Sequence, residues 1–464
     1  MKLQNDVLDT WDRGHFIHPL TSLGGHERGD TESRILTGGE GVYLVDRSGR
    51  RSIDAFSGLF CVNVGYGRRE IAGAMSEQAH KLAYAMAYVG HGTEASITLA
   101  RMIAERAPKG LDHVYFGLSG SDANETNVKF AWYYNNVLGR SEKKKIISRW
   151  RGFHGTTIMS GSLTGLQAFH KAFDLPIQHV RHTVAPYYYR RAQELQSLTE
   201  QEFSQYCADM LEELILAEGP DTVAALIAEP LLGTGGIVPP PEGYWPKIQA
   251  VLRKYDVLLI VDEVATGFGR TGEMFGCTVY DLDPDLLTIA KGITSAYAPL
   301  SASVVHDRIW QVMREGSDRL GPLFHGTTYS AHPVCAAAGV ANLRLVDELG
   351  LVENARVVGA YLRSALTETF VGHPIVGEVR GQGMFAGVDL VRDRDRRQFF
   401  EFDQRIAQSV VATMLDLGVV ARAMPQSDVV GFAPPLCLTT AEADAIVSVT
   451  KRAVDEIAIR QGLM

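Results

Sequence analysis

The sequence has 464 residues, of which 46% are hydrophobic and 21% are charged, a balance typical of globular proteins. This composition excludes a disordered chain, a collagen-like repeat and a small disulfide-stapled scaffold. The formal net charge of −9 argues against a protein built mainly to bind nucleic acid. The length predicts two or three domains.

The cysteines and the N-terminus give no sign of export. The five cysteines are scattered and include no CxxC pair, so neither a disulfide framework nor a structural zinc site is expected. Residues 1–20 lack the apolar stretch of a signal peptide, and the apolar runs fall far short of the ~20 residues that cross a bilayer. We therefore expect a cytoplasmic protein that has reduced thiols and no membrane partner.

In chain order, the first predicted element is a β-hairpin over residues 41–54, because two apolar runs flank a polar turn. Residues 71–81 and 94–106 have the apolar spacing of helices. Between residues 110 and 330 short apolar strands alternate with helices, and the predicted strands are 113–116, 145–148, 224–228, 257–261 and 286–289. Strands that are apolar on both faces predict an α/β fold with a mostly parallel sheet covered by helices on both sides.

Such a sheet places its chemistry just beyond the carboxyl ends of its strands. Residues 119–125 (SGSDANE) follow a strand and open a helix, so their small side chains would let backbone N–H groups bind a phosphate. An ordinary helix cap explains the same pattern equally well. The segment is neither GxGxxG nor a P-loop, which disfavours nicotinamide and ATP as ligands.

Three further features follow predicted strands. Asp262 ends the most apolar strand, where a partly buried carboxylate needs a cationic or hydrogen-bonding partner. Lys291 follows residues 287–290 (LTIA), where burial would lower its pKa and free the amine to attack a carbonyl. Phe153 offers a face for stacking beside His154. Taken singly, each could equally be a cap, an extended surface lysine or a core aromatic.

Together the four features match what pyridoxal 5′-phosphate requires. The phosphate needs an anion site, the ring needs a flat face, the pyridine nitrogen needs a carboxylate, and the aldehyde needs a lysine. We therefore predict this cofactor at the carboxyl edge of the sheet.

At this point the sequence resembles the class III (ω-)aminotransferases of PLP fold type I, over about residues 30–450. The resemblance rests on SGSDANE at 119–125, FHG at 153–155, AEP at 228–230, DEV at 262–264, GFGRTG at 267–272, AKG at 290–292 and TYSAHP at 328–333. Residues 58–67 (GLFCVNVGYG) and 433–436 (APPL) point to the amine:pyruvate branch. The resemblance implies a large cofactor-binding domain over 66–333 and a smaller α/β domain made of 1–65 and 334–464.

The resemblance also implies roles for single residues. Lys291 would form the Schiff base and move the proton, and Asp262 would bind the ring nitrogen. The remaining cofactor residues would be Gly120 and Ser121 at the phosphate, Val264 and Phe153 on the two ring faces, and Glu229 and His154 beside the cofactor. Thr328 would reach the phosphate of the neighbouring subunit, so each site would be shared across a homodimer. Assembly of such dimers into a tetramer is the alternative.

The substrate pocket departs from the family pattern. Phe60 stands where this branch often has Trp, Tyr88 where it often has Phe, and Phe153 where Tyr is common. Arg422 matches the mobile arginine that pairs with an α-carboxylate. Thr234 stands where ornithine and γ-aminobutyrate enzymes tend to carry a Glu that covers this arginine, which argues against those two specificities.

The resulting prediction is a ping-pong transaminase that moves an amino group from an amine or ω-amino acid to a keto acid, with pyruvate favoured. The alternatives are an aminomutase or decarboxylase on the same fold, or a non-catalytic relative. A metal enzyme is not expected, because the pairs His15 and His18, and His325 and His332, have no convincing carboxylate partner at ligand spacing in the sequence.

Overall fold

The computed structural model describes residues 5–30 and 33–464. The helices there span α1 Asn5–His15, α2 Leu23–Arg28, α3 Ser57–Phe60, α4 Arg69–Leu82, α5 Glu94–Ala104, α6 Gly120–Val137, α7 Ile158–Leu163, α8 Glu200–Glu218, α9 Tyr244–Lys254, α10 Gly276–Tyr280, α11 Asp307–Leu320, α12 Pro333–Glu348, α13 Leu351–Thr369, α14 Ile406–Asp416 and α15 Thr440–Arg460. The strands span β1 Leu36–Glu40, β2 Tyr43–Asp46, β3 Arg51–Asp54, β4 Leu111–Gly117, β5 Lys145–Arg149, β6 Val180–Thr183, β7 Val223–Ala228, β8 Leu258–Asp262, β9 Leu286–Ile289, β10 Ser301–His306, β11 Val376–Arg380, β12 Ala386–Leu390, β13 Val419–Val420, β14 Arg422–Ala423 and β15 Val429–Phe432.

The central sheet has seven strands in the order β4-β10-β9-β8-β7-β5-β6. All neighbours pair in parallel except β10, which is antiparallel to both β4 and β9. The predicted α/β fold with a mostly parallel sheet is therefore confirmed. Strand β10 was not predicted from the sequence, because its polar serines break the apolar run expected of a buried strand. In the structure the Ser301 hydroxyl donates to Asp122 and the Ser303 hydroxyl donates to the Ala123 carbonyl. Both hydroxyls therefore keep a hydrogen bond when they are buried.

Strand β8 shows how helices cover both faces of this sheet. Leu259 and Val261 pack with side chains of α8 and α9, whereas Leu258 and Ile260 pack with side chains of α6 and α11. Successive side chains on a strand point to opposite faces, so β8 must be apolar throughout. Each such buried side chain contributes about 1.5–3 kcal/mol, and this packing places Asp262 at the strand's end.

A second sheet joins the two ends of the chain. Its strands run in the order β1-β2-β3-β13, and β13 pairs in parallel with β3 through Val419 and Ile53. A third sheet, β11-β12-β15-β14, is formed wholly after residue 375. The division into 1–65, 66–333 and 334–464 stays a prediction, which the pairing of β3 with β13 supports. Within the described residues, no helix combines the length and apolar character needed to cross a membrane.

Candidate active site

The carboxyl ends of β4, β5, β7, β8 and β9 surround a cavity of about 160 Å³, called here the inner cavity. Nearly all the predicted cofactor residues line it, although they come from distant parts of the chain. Its lining residues are Gly120, Ser121, Asn124, Phe153, His154, Gly155, Glu229, Thr234, Asp262, Val264, Ala265 and Lys291. The parallel strands thus place a helix N-terminus, a carboxylate and an amine around one space.

The phosphate-site candidate lies at the N-terminus of α6. Ser119 caps this helix, with its hydroxyl accepting from the Asp122 N–H at 3.3 Å, and Asp122 in turn accepts from the Ser119 N–H at 2.7 Å. The Gly120 and Ser121 N–H groups belong to the first turn, where no intrahelical acceptor exists. A side chain at Gly120 would come within 3.0 Å of Val264, so glycine is needed for this close packing.

Three donors converge on the carboxylate of Asp262, which is 3% exposed. Asn124 Nδ2 and His154 Nδ1 each lie 2.8 Å from Oδ2, and the Val264 N–H donates to Oδ1 at 3.0 Å. The Thr288 hydroxyl donates to Asn124 Oδ1 at 2.7 Å, which orients the amide. Asn124 is not among the site residues predicted from the sequence. Its spacing of three residues from Ser121 on α6, which puts both on one helix face, is the signal that could have revealed it.

Lys291 follows β9 with a backbone φ of +47°, a conformation that non-glycine residues adopt mainly where surrounding structure enforces it. Burial lowers the pKa of Lys291, and the nearby carboxyl groups of Asp262 and Glu229 oppose this shift. Its Nζ lies 5.1 Å from the ring centroid of Phe60. A desolvated amine in this position is a nucleophile and a proton carrier.

Glu229 holds the two loops that flank the inner cavity. Its carboxylate accepts from the Phe153 N–H at 3.1 Å through Oε1 and from the Gly233 N–H at 2.9 Å through Oε2. Burial raises the pKa of Glu229. These bonds position the Phe153 ring, which meets Phe169 edge-on at 5.4 Å, and place Thr234 in the cavity wall.

A second cavity of about 440 Å³, called here the outer cavity, opens on the other side of Lys291. It shares Phe153, Thr234 and Lys291 with the inner cavity, so the amine of Lys291 borders both. Its other lining residues are mostly apolar: Pro19, Leu20, Leu59, Phe60, Thr156, Thr157, Ile158, Gly161, Phe169, Phe173, Leu175 and Arg422. Of these residues, only Phe60 and Arg422 are predicted pocket residues.

Arg422 is an uncompensated cation in the outer cavity. Burial lowers the pKa of Arg422, and among the described residues no carboxylate opposes that shift. Its guanidinium carbon lies 5.6 Å from the ring centroid of Phe56. The arrangement leaves the guanidinium open to a carboxylate ligand.

Tyr88 and Thr328 line neither cavity of their own chain. The Tyr84 hydroxyl donates to the Thr328 carbonyl at 2.8 Å, and a side chain at Gly326 would collide with the Tyr88 ring. Both residues therefore lie on one exposed surface, and the role of Tyr88 in a substrate pocket stays a prediction.

The expectation that His18 has no carboxylate partner was wrong. Its Nε2 lies 2.8 Å from Oδ1 of Asp12, and His26 lies on the other side of the same carboxylate. No ligand spacing in the sequence indicates this contact, because it forms only when helix α1 and the segment that follows it fold back on one another.

The comparison with known proteins agrees with this geometry. The family model for aminotransferase class III matches residues 26–454. A diaminobutyrate–2-oxoglutarate transaminase of Halomonas elongata is 54% identical over 457 residues, with 98% of this chain and 97% of the relative covered. A putrescine–pyruvate aminotransferase of Pseudomonas aeruginosa is 38% identical over 446 residues, which cover 96% and 95% of the two chains.

The architecture is also that of a solved structure. The omega transaminase of Pseudomonas jessenii in complex with PMP superposes with a TM-score of 0.95 at 39% identity, and 98% of this chain and 99% of that chain are covered.

Proposed function

This chain belongs to the class III aminotransferases, which depend on pyridoxal 5′-phosphate, and we propose that it moves an amino group from an amine with an apolar body to pyruvate. The observation that carries the proposal is the position of Lys291. It borders the inner cavity, whose polar side chains suit the cofactor, and the apolar outer cavity, where Arg422 is open to a ligand.

The donor set of the inner cavity fits the cofactor. When bound, pyridoxal 5′-phosphate supplies a ring that withdraws electrons from the carbon bearing the amino group. Gly120 and Ser121 would hold the phosphate, and Asp262 would keep the ring nitrogen protonated. Val264 and Phe153 would contact the two ring faces. The Lys291 amine would bind the cofactor covalently, then accept and return the proton of the substrate carbon.

Arg422 favours an acceptor with a single carboxylate. A guanidinium binds one carboxylate through two parallel hydrogen bonds, which suits an α-keto acid. Besides the catalytic lysine, Arg422 is the one cation among the residues that line the outer cavity in the described chain. A second carboxylate, such as that of 2-oxoglutarate, would enter this apolar space without a partner, which is costly. Pyruvate has no second carboxylate.

The same reasoning selects the donor class. Phe60, Phe169 and Phe173 with the aliphatic side chains nearby offer a surface for an aryl-alkyl or alkyl amine. Among the described residues, no carboxylate lines this cavity to bind the second ammonium group of a diamine. We therefore rank an aryl-alkyl amine above putrescine-like diamines as donor for this chain.

The active form in this proposal is a homodimer. Exposed apolar side chains cluster on two segments, 84–89 and 324–329, and Phe324 is 92% exposed. A contiguous apolar surface of this kind is typical of protein interfaces. A second copy seated there would cover Phe324 and bring Tyr88 and Thr328 to the neighbouring active site, where Thr328 would bind the phosphate.

The proposal is tested with the purified holoenzyme and a donor panel of 1-phenylethylamine, putrescine and β-alanine, each with pyruvate and with 2-oxoglutarate. We expect the highest kcat/KM for 1-phenylethylamine with pyruvate, and no more than one equivalent of ketone per active site without an acceptor. Turnover without a keto acid would identify a mutase or decarboxylase instead. Lys291→Ala should lower kcat at least about 10²–10⁴-fold, whereas Lys109→Ala, at an exposed lysine, should leave it unchanged.

A further inference from the structure

A group of side chains that could bind a metal ion lies in the N-terminal segment, outside the transamination site. Asp12 belongs to helix α1, His26 to helix α2, and His18 to the segment between them. One ligand atom from each of the three residues can be chosen so that all lie within 4.8 Å of one another. The closest pairs join Asp12 Oδ1 to His18 Nε2 at 2.8 Å and Asp12 Oδ2 to His26 Nε2 at 3.3 Å.

His26 is the informative member of this group. The residue is 7% exposed, and its Nε2 has no hydrogen-bond partner. The contact of 3.3 Å with Asp12 is within ion-pair distance but lacks the geometry of a hydrogen bond. A buried imidazole nitrogen that points at a carboxylate without bonding to it is costly. A ligand between the two side chains would remove that cost.

The surroundings of Asp12 favour a cation. The Ser33 hydroxyl donates to its Oδ2 at 2.5 Å, so a neighbouring residue orients the carboxylate, as is usual for metal-binding carboxylates. An open cavity of about 830 Å³ adjoins the group, so an ion and its water ligands have access.

We propose that Asp12, His18 and His26 bind one divalent transition-metal ion, with Zn²⁺ as the best match. Two imidazoles and one carboxylate are ligands that suit Zn²⁺, with a water in the fourth position. Nothing in the transamination proposed above uses this ion, so the site is structural. On binding, the metal takes the place of the Nε2 proton of His18, this proton passes through solvent to Nδ1 of the same ring, and the metal also engages the free Nε2 of His26.

The position of the site links it to the cleft. Pro19 and Leu20, which line the outer cavity, stand between the ligands His18 and His26 in the chain. An ion that ties these two ligands to Asp12 of α1 restrains this segment at both ends. We therefore expect metal binding to raise the melting temperature and to leave the cofactor spectrum unchanged.

The test uses the holoenzyme, freed of metal by a chelator and titrated with Zn²⁺ in a calorimeter. The variants are His26→Gln and Asp12→Asn, and the matched control is His15→Gln, which removes an exposed imidazole from the end of the same helix. We expect wild type and His15→Gln to bind one ion per chain with the same affinity. Each ligand variant should bind at least about tenfold more weakly.

Two results would overturn the proposal: no binding by wild type at micromolar Zn²⁺, or equal binding by all four proteins. Co²⁺ provides a second measurement, because its visible absorption reports nitrogen ligands. We expect this absorption in wild type and its loss in His26→Gln. If one variant fails to fold, His18→Gln replaces it. Transaminase activity is measured in the chelated protein as well. Activity that persists without the metal would show that the metal site and the proposed function can fail independently.

Discussion

Asn124 and Asp262 are joined by a buried hydrogen bond of 2.8 Å from Nδ2 to Oδ2, although 137 residues separate them along the chain. The bond connects helix α6, which carries the phosphate-site candidate, to strand β8, which carries the ring-site carboxylate. The same amide nitrogen also donates to the His154 carbonyl at 2.7 Å. One side chain thus sets the relative positions of three segments of the inner cavity.

Replacing Asn124 by Ala should weaken catalysis without changing the substrate preference. Asp262 would keep the His154 and Val264 donors but lose one hydrogen bond, and hydrogen bonds to charged groups contribute about 1.5–3 kcal/mol. We expect kcat/KM to fall about 10- to 100-fold for every donor, with faster loss of cofactor on dialysis.

Asn135→Ala is the matched control for this change. Asn135 is also buried on α6, and its Nδ2 donates to the Ala131 carbonyl of the same helix at 2.9 Å. An equal loss of cofactor in the two variants would show that the effect comes from helix packing and not from Asp262.

The pH dependence of cofactor attachment should report the state of Lys291. Attack on an aldehyde requires the neutral amine, and burial lowers the pKa of Lys291 from its usual 10.5. The rate at which cofactor-free protein takes up pyridoxal 5′-phosphate should therefore reach its plateau below pH 10.5. As pH falls through the lowered pKa, protonation should reduce the rate about tenfold per pH unit.

Absorbance of the attached cofactor measures this rate, and Nα-acetyl-lysine in the same buffers supplies the reference for an exposed amine. A protein profile that coincides with the free lysine profile would contradict the lowered pKa.

Arg422→Leu should separate the two halves of the reaction. Loss of the guanidinium removes a charged hydrogen-bonding partner of the keto acid, so KM for pyruvate should rise about 10- to 100-fold. The reaction of 1-phenylethylamine with the enzyme, followed in a single turnover without acceptor, should change little. A similar loss in both halves would place Arg422 in the structure of the cleft and not in carboxylate binding.

A carboxylate at position 234 should block the same arginine. Thr234 and Arg422 both line the outer cavity, and Thr234 lines the inner cavity as well. Thr234→Glu would therefore offer the guanidinium an internal partner. We expect KM for pyruvate to rise about tenfold, which corresponds to about 1.4 kcal/mol. Thr234→Gln has the same size without the charge and should retain most of the activity. Equal effects of Glu and Gln would mean that bulk and not charge is responsible.

The exposed surface around Phe324 should control assembly. Phe324→Glu would bury a carboxylate in the proposed interface, and we expect the dissociation constant of the dimer to rise about 30-fold or more. Sedimentation should detect the monomer, and activity per chain should fall on dilution as the partner's contribution is lost. Val371→Glu, at another exposed apolar residue, should change neither quantity. An active monomer would refute the shared site.

Much of the inner cavity could be predicted because its residues follow strands that are themselves easy to recognise. Parallel strands end at one edge of a sheet, so Asp262 after β8 and Lys291 after β9 must lie near each other once the strands pair. Helices α1 and α2 and strands β6 and β10 escaped prediction. Their segments contain polar residues such as Ser301 and Ser303, whose burial depends on partners from elsewhere in the chain.

The sequence by itself determined the local chemistry of this protein: an apolar strand that ends in a carboxylate, another that ends in a lysine, and a helix that begins with small residues. These are properties of neighbours along the chain. Only the tertiary structure decided that Pro19 and Leu20 wall the outer cavity, that Asn124 orients Asp262, and that Asp12 lies between two histidines. Such contacts join segments that are distant in the sequence and meet only when the whole chain packs. No pattern of neighbouring residues predicts them.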